Sequence, residues 1–457
     1  MTAPIAILGG GLAGLTAARV LRTAGVPFTL FEATATLGGL ASSHRDAGGF
    51  SDDVGVHFVT NRLAAAIGAS AQCYRVPRYG ESVWLGDRSV AYPFGLIGTP
   101  RYAASAARTI AARAIRRAPI RSAADWFSAR YGNAIAREIA LPLIEAWSGL
   151  PAERLALSVG EQMPGSIVRS LALKAAGSVL DRAIASGYCG SLPESPHVFH
   201  VYPYDGVATF CHRLAEGLED AVRYETPVQQ IHVENDRVVG IRAGDCEIEA
   251  SAVISTAPIE ILASLVRGTN ALERYRRFRH RPMVFVNLRL QGRNLLPDVV
   301  VWTPLPGSPI FRLTEGPLAM PTLAPEGKTT ITVDIGAQIG DEYWTMSDEA
   351  LAEVALEHVA PLVPDARARF LGVRTVRTPI AYPVLDIEYE ADRLALEGGL
   401  PVDGLYTVGR NGEFRNILME DVYWRTRRRM QAVIARYRDS QVLEGNVPPQ
   451  PIDAAVL

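Results

Sequence analysis

The feature that most constrains this chain is a glycine run bracketed by an apolar strand and a helix at its start. Residues Pro4 to Leu8 (PIAIL) form a short, continuously apolar run, the pattern of a parallel strand buried on both faces. Gly9-Gly10-Gly11-Leu12-Ala13-Gly14 follows and fits GxGxxG. The first glycine of such a run permits a tight turn, the second lets backbone approach a pyrophosphate, and the third lets the helix pack on the strand. Leu12 to Ala24 is rich in helix formers, and Gly25 is placed to end the helix at C′. Phe28 to Phe31 reads as the second strand, with Glu32 at its end, 18 positions after Gly14. A carboxylate there accepts both hydroxyls of an adenosine ribose and repels a 2′-phosphate. Strand, glycines, helix, cap, strand and acid in register predict a dinucleotide-binding βαβ unit.

The next residues separate one dinucleotide from another. Glu32 is followed after five residues by Gly38-Gly39, then Leu40. This resembles the extension that follows the Rossmann fingerprint in the superfamily of FAD-dependent amine oxidases, protoporphyrinogen oxidases and phytoene desaturases. Asp53-Val54-Gly55-Val56-His57-Phe58 resembles the segment that runs beside the flavin ring in the UDP-galactopyranose mutase-like branch. Tyr92-Pro93-Phe94, the Trp126-to-Pro151 helical stretch, Tyr202-Pro203-Tyr204-Asp205-Gly206, Ala252-to-Pro258 and Ala381-Tyr382-Pro383 continue that resemblance along nearly the whole chain. Near the C-terminal end, Gly404-Leu405-Tyr406-Thr407-Val408-Gly409-Arg410-Asn411-Gly412-Glu413-Phe414-Arg415 resembles the GLY-x-x-GR-x-G-x-F segment of the same group.

The resemblance implies an α/β chain, α+β overall: a Rossmann-type FAD-binding domain with a discontinuous substrate domain of sheet plus helices. The FAD domain is expected from 1–66, 200–262 and 392–440, the substrate domain from 67–100 and 263–391, and a mostly helical subdomain from 101–199. It implies FAD as cofactor, contacted by Gly9, Gly11, Leu12, Ala13, Gly14, Glu32, Ala33, Gly39, Leu40, Val56, His57, Val228, Gly409, Arg410, Leu418 and Met419. Gly55 is expected to leave room for the flavin ring, and amides of the helix after Gly409-Arg410 to face its pyrimidine edge. His57 and Arg415 are the catalytic candidates, as acid–base or flavin-tuning group and anion contact. His57 reads as a flavin contact before a core histidine, and Tyr382 equally as a site residue or core packing. Asp205, which replaces a family glycine, is placed to cap a helix.

Three functions fit such a chain. One is an FAD-dependent oxidoreductase acting on a small molecule; a second is a redox-neutral, mutase-like isomerase of a sugar nucleotide; a third is a binding protein that has lost the flavin site. The intact glycines and Glu32 disfavour the third. The mutases' tyrosine–aspartate pair is replaced here by Ile417 and Leu418, which favours the first. Arg281, Arg289 and Arg312 are available for a diphosphate.

Composition excludes other classes. A net charge of -2 over 457 residues gives no field that would draw the chain onto nucleic acid. Cys73, Cys189, Cys211 and Cys246 lie too far apart in sequence to suggest a metal site or disulfide scaffold. No signal peptide or spanning run is visible, so a cytoplasmic location is expected. One stretch stands apart: 101–121 carries six arginines and no acid. It reads as a solvated helix face or as contact with an anionic membrane or phosphate-bearing partner.

Overall fold

The computed structural model describes residues 3–443, apart from Val56, Tyr188 and the segments 116–118, 162–171, 174–175 and 178–181. Its centre is a five-stranded parallel sheet in the order Val222–Arg223, Phe28–Phe31, Ile5–Leu8, Ala252–Ser255, Leu405–Thr407. All four residues of Ile5–Leu8 are buried, as a strand covered on both faces requires. Their side chains alternate between two cores. Ile5 and Ile7 join Leu15, Leu21 and Ile254 beneath the helices Leu12–Thr23 and Met419–Leu443. Ala6 and Leu8 join Ile231, Ile241 and Val253 against a second sheet built on the antiparallel strands Val228–Glu234, Arg237–Ala243 and Cys246–Glu249. The period-2 geometry of a strand thus places two layers on one four-residue run.

A seven-stranded sheet forms the other half. Its order is Phe370–Pro383, His280–Gln291, Lys328–Gly336, Ile310–Glu315, Val300–Trp302, Glu81–Trp84, Ser89–Ala91. Alternation again divides its faces. Val284, Val286 and Leu288 pack with Leu351 and Leu356 of the helix Asp348–Val359. Met283 and Phe285 point the other way, joining Phe311, Trp147 and Tyr382 together with Val54 of the cofactor half. That second face is where the two halves meet. The helices Pro100–Ile115, Ala123–Tyr131 and Leu141–Ser148 lie alongside, the second started by a reciprocal Ser122–Asp125 capping box. Among the described residues no helix is long and apolar enough to cross a membrane.

Two local expectations need correction. Asp205 does not cap the helix Ala208–Ala215, whose N-cap is Val207 without a side-chain bond. The orphan amide of Ala208 is instead met by Ser43 Oγ at 3.0 Å, from a strand far away in sequence. Gly206 makes this possible: a Cβ there would stand 2.5 Å from Ser43 Oγ. The basic helix runs Pro100–Ile115 rather than to 121, and 116–118 lie outside the described residues.

Candidate active site

Each glycine of the N-terminal run answers to a particular atom. Gly9 has φ +98°, and a Cβ on it would sit 2.2 Å from Thr256 Oγ1. A Cβ on Gly14 would lie 1.9 Å from the Gly9 carbonyl oxygen, so no side chain fits between helix and turn. The second glycine pair folds back on the first. Gly38 N–H donates to the Gly10 carbonyl at 2.9 Å, and Gly11 bridges Gly38 as a parallel pair. Gly409, φ +81°, closes a third side: a Cβ there would stand 2.7 Å from Ala13 Cβ. The helix Leu12–Thr23 has Gly11 as N-cap with no side-chain bond and no acid in its first turn. Its leading amides and the positive end of its dipole are therefore open to an anion.

Glu32 is held at the end of its strand by what surrounds it. Its Oε2 accepts from Gly10 N–H at 2.7 Å, and its Oε1 from Thr34 N–H at 2.9 Å and Thr34 Oγ1 at 2.7 Å. A carboxylate offers about four lone-pair sites, so capacity for ribose hydroxyls remains. Ala33 is exposed beside it. The chain leading to Val228 is tied to the same place, since Thr226 N–H donates to the Glu32 carbonyl at 2.9 Å. These features fit a dinucleotide extended from Glu32, over the helix start, toward Gly409 and Arg410.

Beyond that cradle lies a buried aromatic cluster built on Phe285 and Phe311, with Trp147, Trp302 and Tyr382 packed against it. His57 Nε2 is 3.2 Å from the Leu40 carbonyl oxygen and 3.1 Å from that of Val54. Carbonyls only accept, so Nε2 carries the proton and Nδ1 is left as an acceptor. Burial pushes the imidazole pKa down to about 4, with Arg410 and Arg312 adding to the shift against the two carbonyl bonds. His57 is therefore neutral at physiological pH. Arg410 Nη2 donates to Asn416 Oδ1 at 3.2 Å, and its guanidinium lies 4.5 Å from the Tyr382 ring centroid. Its Nε is buried without a partner, and burial lowers its pKa. Arg312 is also deeply placed. Burial opposes its charge, yet the Asp334 carboxylate, bonded by both Nε and Nη2, keeps it fully protonated. Tyr382 packs edge-on to Trp147 at 5.4 Å.

The predicted residues do not all converge. Leu12, Ala13, Gly14, Glu32, Gly39, Leu40, His57, Gly409 and Arg410 gather along the cradle and its mouth. Val56 lies outside the described residues. Gly55 is expected to leave room for a flavin ring, but its Cβ side faces the Phe285 ring at 3.3 Å. Met419 opens the long C-terminal helix; Leu418 just before it is 44% exposed, and Ile417 packs on the cofactor-domain core. Arg415 pairs with Glu397 at 2.5 Å, in an ion cluster with Arg393 and Glu390. Of the arginines suggested for a diphosphate, Arg289 is taken by Asp46 and Asp52. Arg281 is 8% exposed, with its guanidinium against Gly149 and Gly336; burial lowers its pKa, and the Asp341 charge only partly offsets this. Two residues were missed. Glu81 accepts from Tyr79 OH at 2.6 Å and Trp302 Nε1 at 3.2 Å, fixing the aromatic wall. Asp334, which holds Arg312, was signalled only by an acid inside an apolar strand run.

The cradle and the aromatic cluster beside it belong to a flavoprotein with a Rossmann-like domain and a separate sheet-plus-helix domain. The chain belongs to the flavin containing amine oxidoreductase family, whose profile matches residues 165–423. The profile of an NAD(P)-binding Rossmann-like domain matches residues 7–65. No curated protein matches in sequence. Among solved structures, that of reduced UDP-galactopyranose mutase superposes with a TM-score of 0.75 at 18% identity, over 95% of this chain and 94% of the other. Cyclohexylamine oxidase from Brevibacterium oxydans IH-35A gives 0.71 at 13% identity, over 96% and 100%. A putrescine oxidase redesigned in its cofactor binding gives 0.67 at 16%, over 95% and 99%. At these identities the likeness is one of fold.

Proposed function

We propose that the protein is an FAD-dependent oxidoreductase that oxidises a small hydroxylated or anionic molecule. When bound, FAD supplies the hydride acceptor, its ring N5. The observation that supports this reading is the meeting of the glycine cradle with a buried aromatic cluster through Val54 and Arg410. Phe285, Phe311, Trp147, Trp302 and Tyr382 pack together there and keep water from that side of the cradle, which a hydride transfer needs more than it needs acid–base pairs. His57, neutral and with Nδ1 open, can accept the proton of a substrate hydroxyl. Arg410 and Arg281 make no direct ion pair among the described residues, and their positive charge disfavours a protonated amine. The tyrosine–aspartate pair of the mutases is replaced by Ile417 and Leu418.

The two unpaired arginines also favour a second reading, the redox-neutral isomerisation of a sugar nucleotide, whose diphosphate they would neutralise. One experiment divides the two. Hydroxylated compounds, amines and sugar nucleotides are mixed anaerobically with the oxidised holoprotein. For the oxidoreductase, the true substrate bleaches the flavin in a single turnover without added reductant. Isomerisation seen only after chemical reduction, with no net change in flavin oxidation state, would replace the first reading by the second.

A further inference from the structure

We infer that the helix Pro100–Ile115 is a docking surface for an anionic lipid bilayer, on which the protein rests peripherally. The helix is 16 residues long and buries only Tyr102 and Ser105. At about 100° per residue, Ile110, Ala103, Ala114, Ala107, Ala111 and Ile115 fall within one sector roughly 140° wide. All six are exposed, Ile110 to 67% and Ile115 to 84%. No charged residue lies inside that sector. Arg108 borders one edge, and on the other side Arg113, half-buried, lies about 60° away beyond Ala106. An apolar sector flanked by arginines is the arrangement of a helix lying in the plane of a membrane interface.

Charge complementarity selects this occupant. Arg101 is neutralised by Glu138, but Arg108 and Arg113 have no acidic partner among the described residues. Across the adjoining groove of about 420 Å³, the Asp125 carboxylate accepts backbone N–H groups of Arg121 and Ser122 at its own helix start. Arg116 and Arg117 follow next in sequence, and the helix itself holds no acid. A second copy docked symmetrically through this face would set arginines against arginines, because a two-fold interface is self-complementary only where its charges are mixed. Anionic headgroups meet the same arginines favourably while the exposed isoleucines enter the acyl boundary. The buried edge of the helix places Tyr102 in a cluster with Leu143 and Trp302, both of which also pack against the aromatic cluster of Phe285 and Phe311.

The test is co-sedimentation of the yellow holoprotein with vesicles at about 0.1 M salt, where charges act over roughly 10 Å. Vesicles of equal parts phosphatidylglycerol and phosphatidylcholine should bind it, and pure phosphatidylcholine should not. Arg108→Glu with Arg113→Glu should weaken binding by at least about 30-fold, and Ile110→Asp by about 10-fold or more. The double Arg→Lys variant should bind like the parent. Flavin absorbance and the melting temperature, unchanged in every variant, show that the fold is intact. Absence of binding to the anionic vesicles, or equal binding by the charge-reversed variant, overturns the inference. So does a dimer in gel filtration that Ile110→Asp dissociates without any vesicle binding, which would assign the face to a second copy.

Discussion

Replacing Glu32 tests the cofactor site at its most legible point. The carboxylate accepts from two backbone amides, Gly10 and Thr34, and one hydroxyl, while retaining lone pairs for a ribose. Glu32→Ala removes the ribose acceptor and releases the Gly10 amide from the bond that orients it. Hydrogen bonds to a charged group are worth about 1.5–3 kcal/mol when well buried. Glu32 is only half-buried, so solvent competes and the loss of FAD affinity should be about 1–3 kcal/mol in all, or roughly 5- to 150-fold in Kd. Glu32→Gln keeps one acceptor oxygen but turns an amide NH2 toward a donor, so it should fall between Ala and the parent. The assay is titration of cofactor-stripped protein with FAD, followed by quenching of flavin fluorescence. FMN, which lacks the adenosine, serves as the control: its weaker binding should be the same in all three proteins. Unchanged FAD affinity in both variants, or an equal loss for FMN, would show that this strand end does not hold the ribose.

Two further outcomes follow from buried ionisable groups. His57, with its pKa pushed down to about 4, stays neutral across the range where a free histidine titrates, so it should place no limb near 6.5 in the pH–rate profile. A limb near 6.5 that disappears in His57→Asn would contradict the geometry. Asp53 has its pKa pushed up to about 7 by burial, against the Ser43 bond, and Tyr202 OH also donates to it. An acid whose folded pKa is raised favours folding below its ordinary 3.8 and loses that advantage as pH rises through about 7. Asp53→Asn should therefore gain melting temperature relative to the parent between pH 5 and pH 8, by about 1 °C per kcal/mol in a chain of this length. A gap between the two proteins that does not change with pH would refute the shift.

What could be read in the sequence follows from how local each constraint is. Gly9, Gly14 and Gly38-Gly39 each hold a position that backbone sterics forbid to other residues, and their register with Glu32 spans one βαβ unit. The sequence therefore carried the cradle in full. Gly409 was legible for the same reason, although its contact is with Ala13 at the opposite end of the chain. The aromatic cluster was only partly legible, because its members come from alternate residues of widely separated strands. Phe285 is one apolar position among several in its strand, and nothing local tells which face meets the cofactor half. Glu81 and Asp334 looked like ordinary acids until their partners, Trp302 and Arg312, were brought beside them. Asp205 misled for the converse reason. A good capping residue stood before the helix, but a hydroxyl from residue 43 reached the amide first.

The order of strands in the central sheet bears on how the protein is made. Ile5–Leu8 lies between strands that begin at residues 28 and 252, and the edge strand arrives only at Leu405. About 150 residues separate Ala252–Ser255 from that last strand, which at about 5–20 residues per second takes the ribosome roughly 8–30 s. During that interval the outer edge of Ala252–Ser255 lacks its strand partner, and the cradle lacks Gly409. An amino-terminal fragment carrying the whole glycine fingerprint would therefore lack both an edge strand and the turn that closes the cradle, so the cradle is assembled only once residue 409 has left the ribosome.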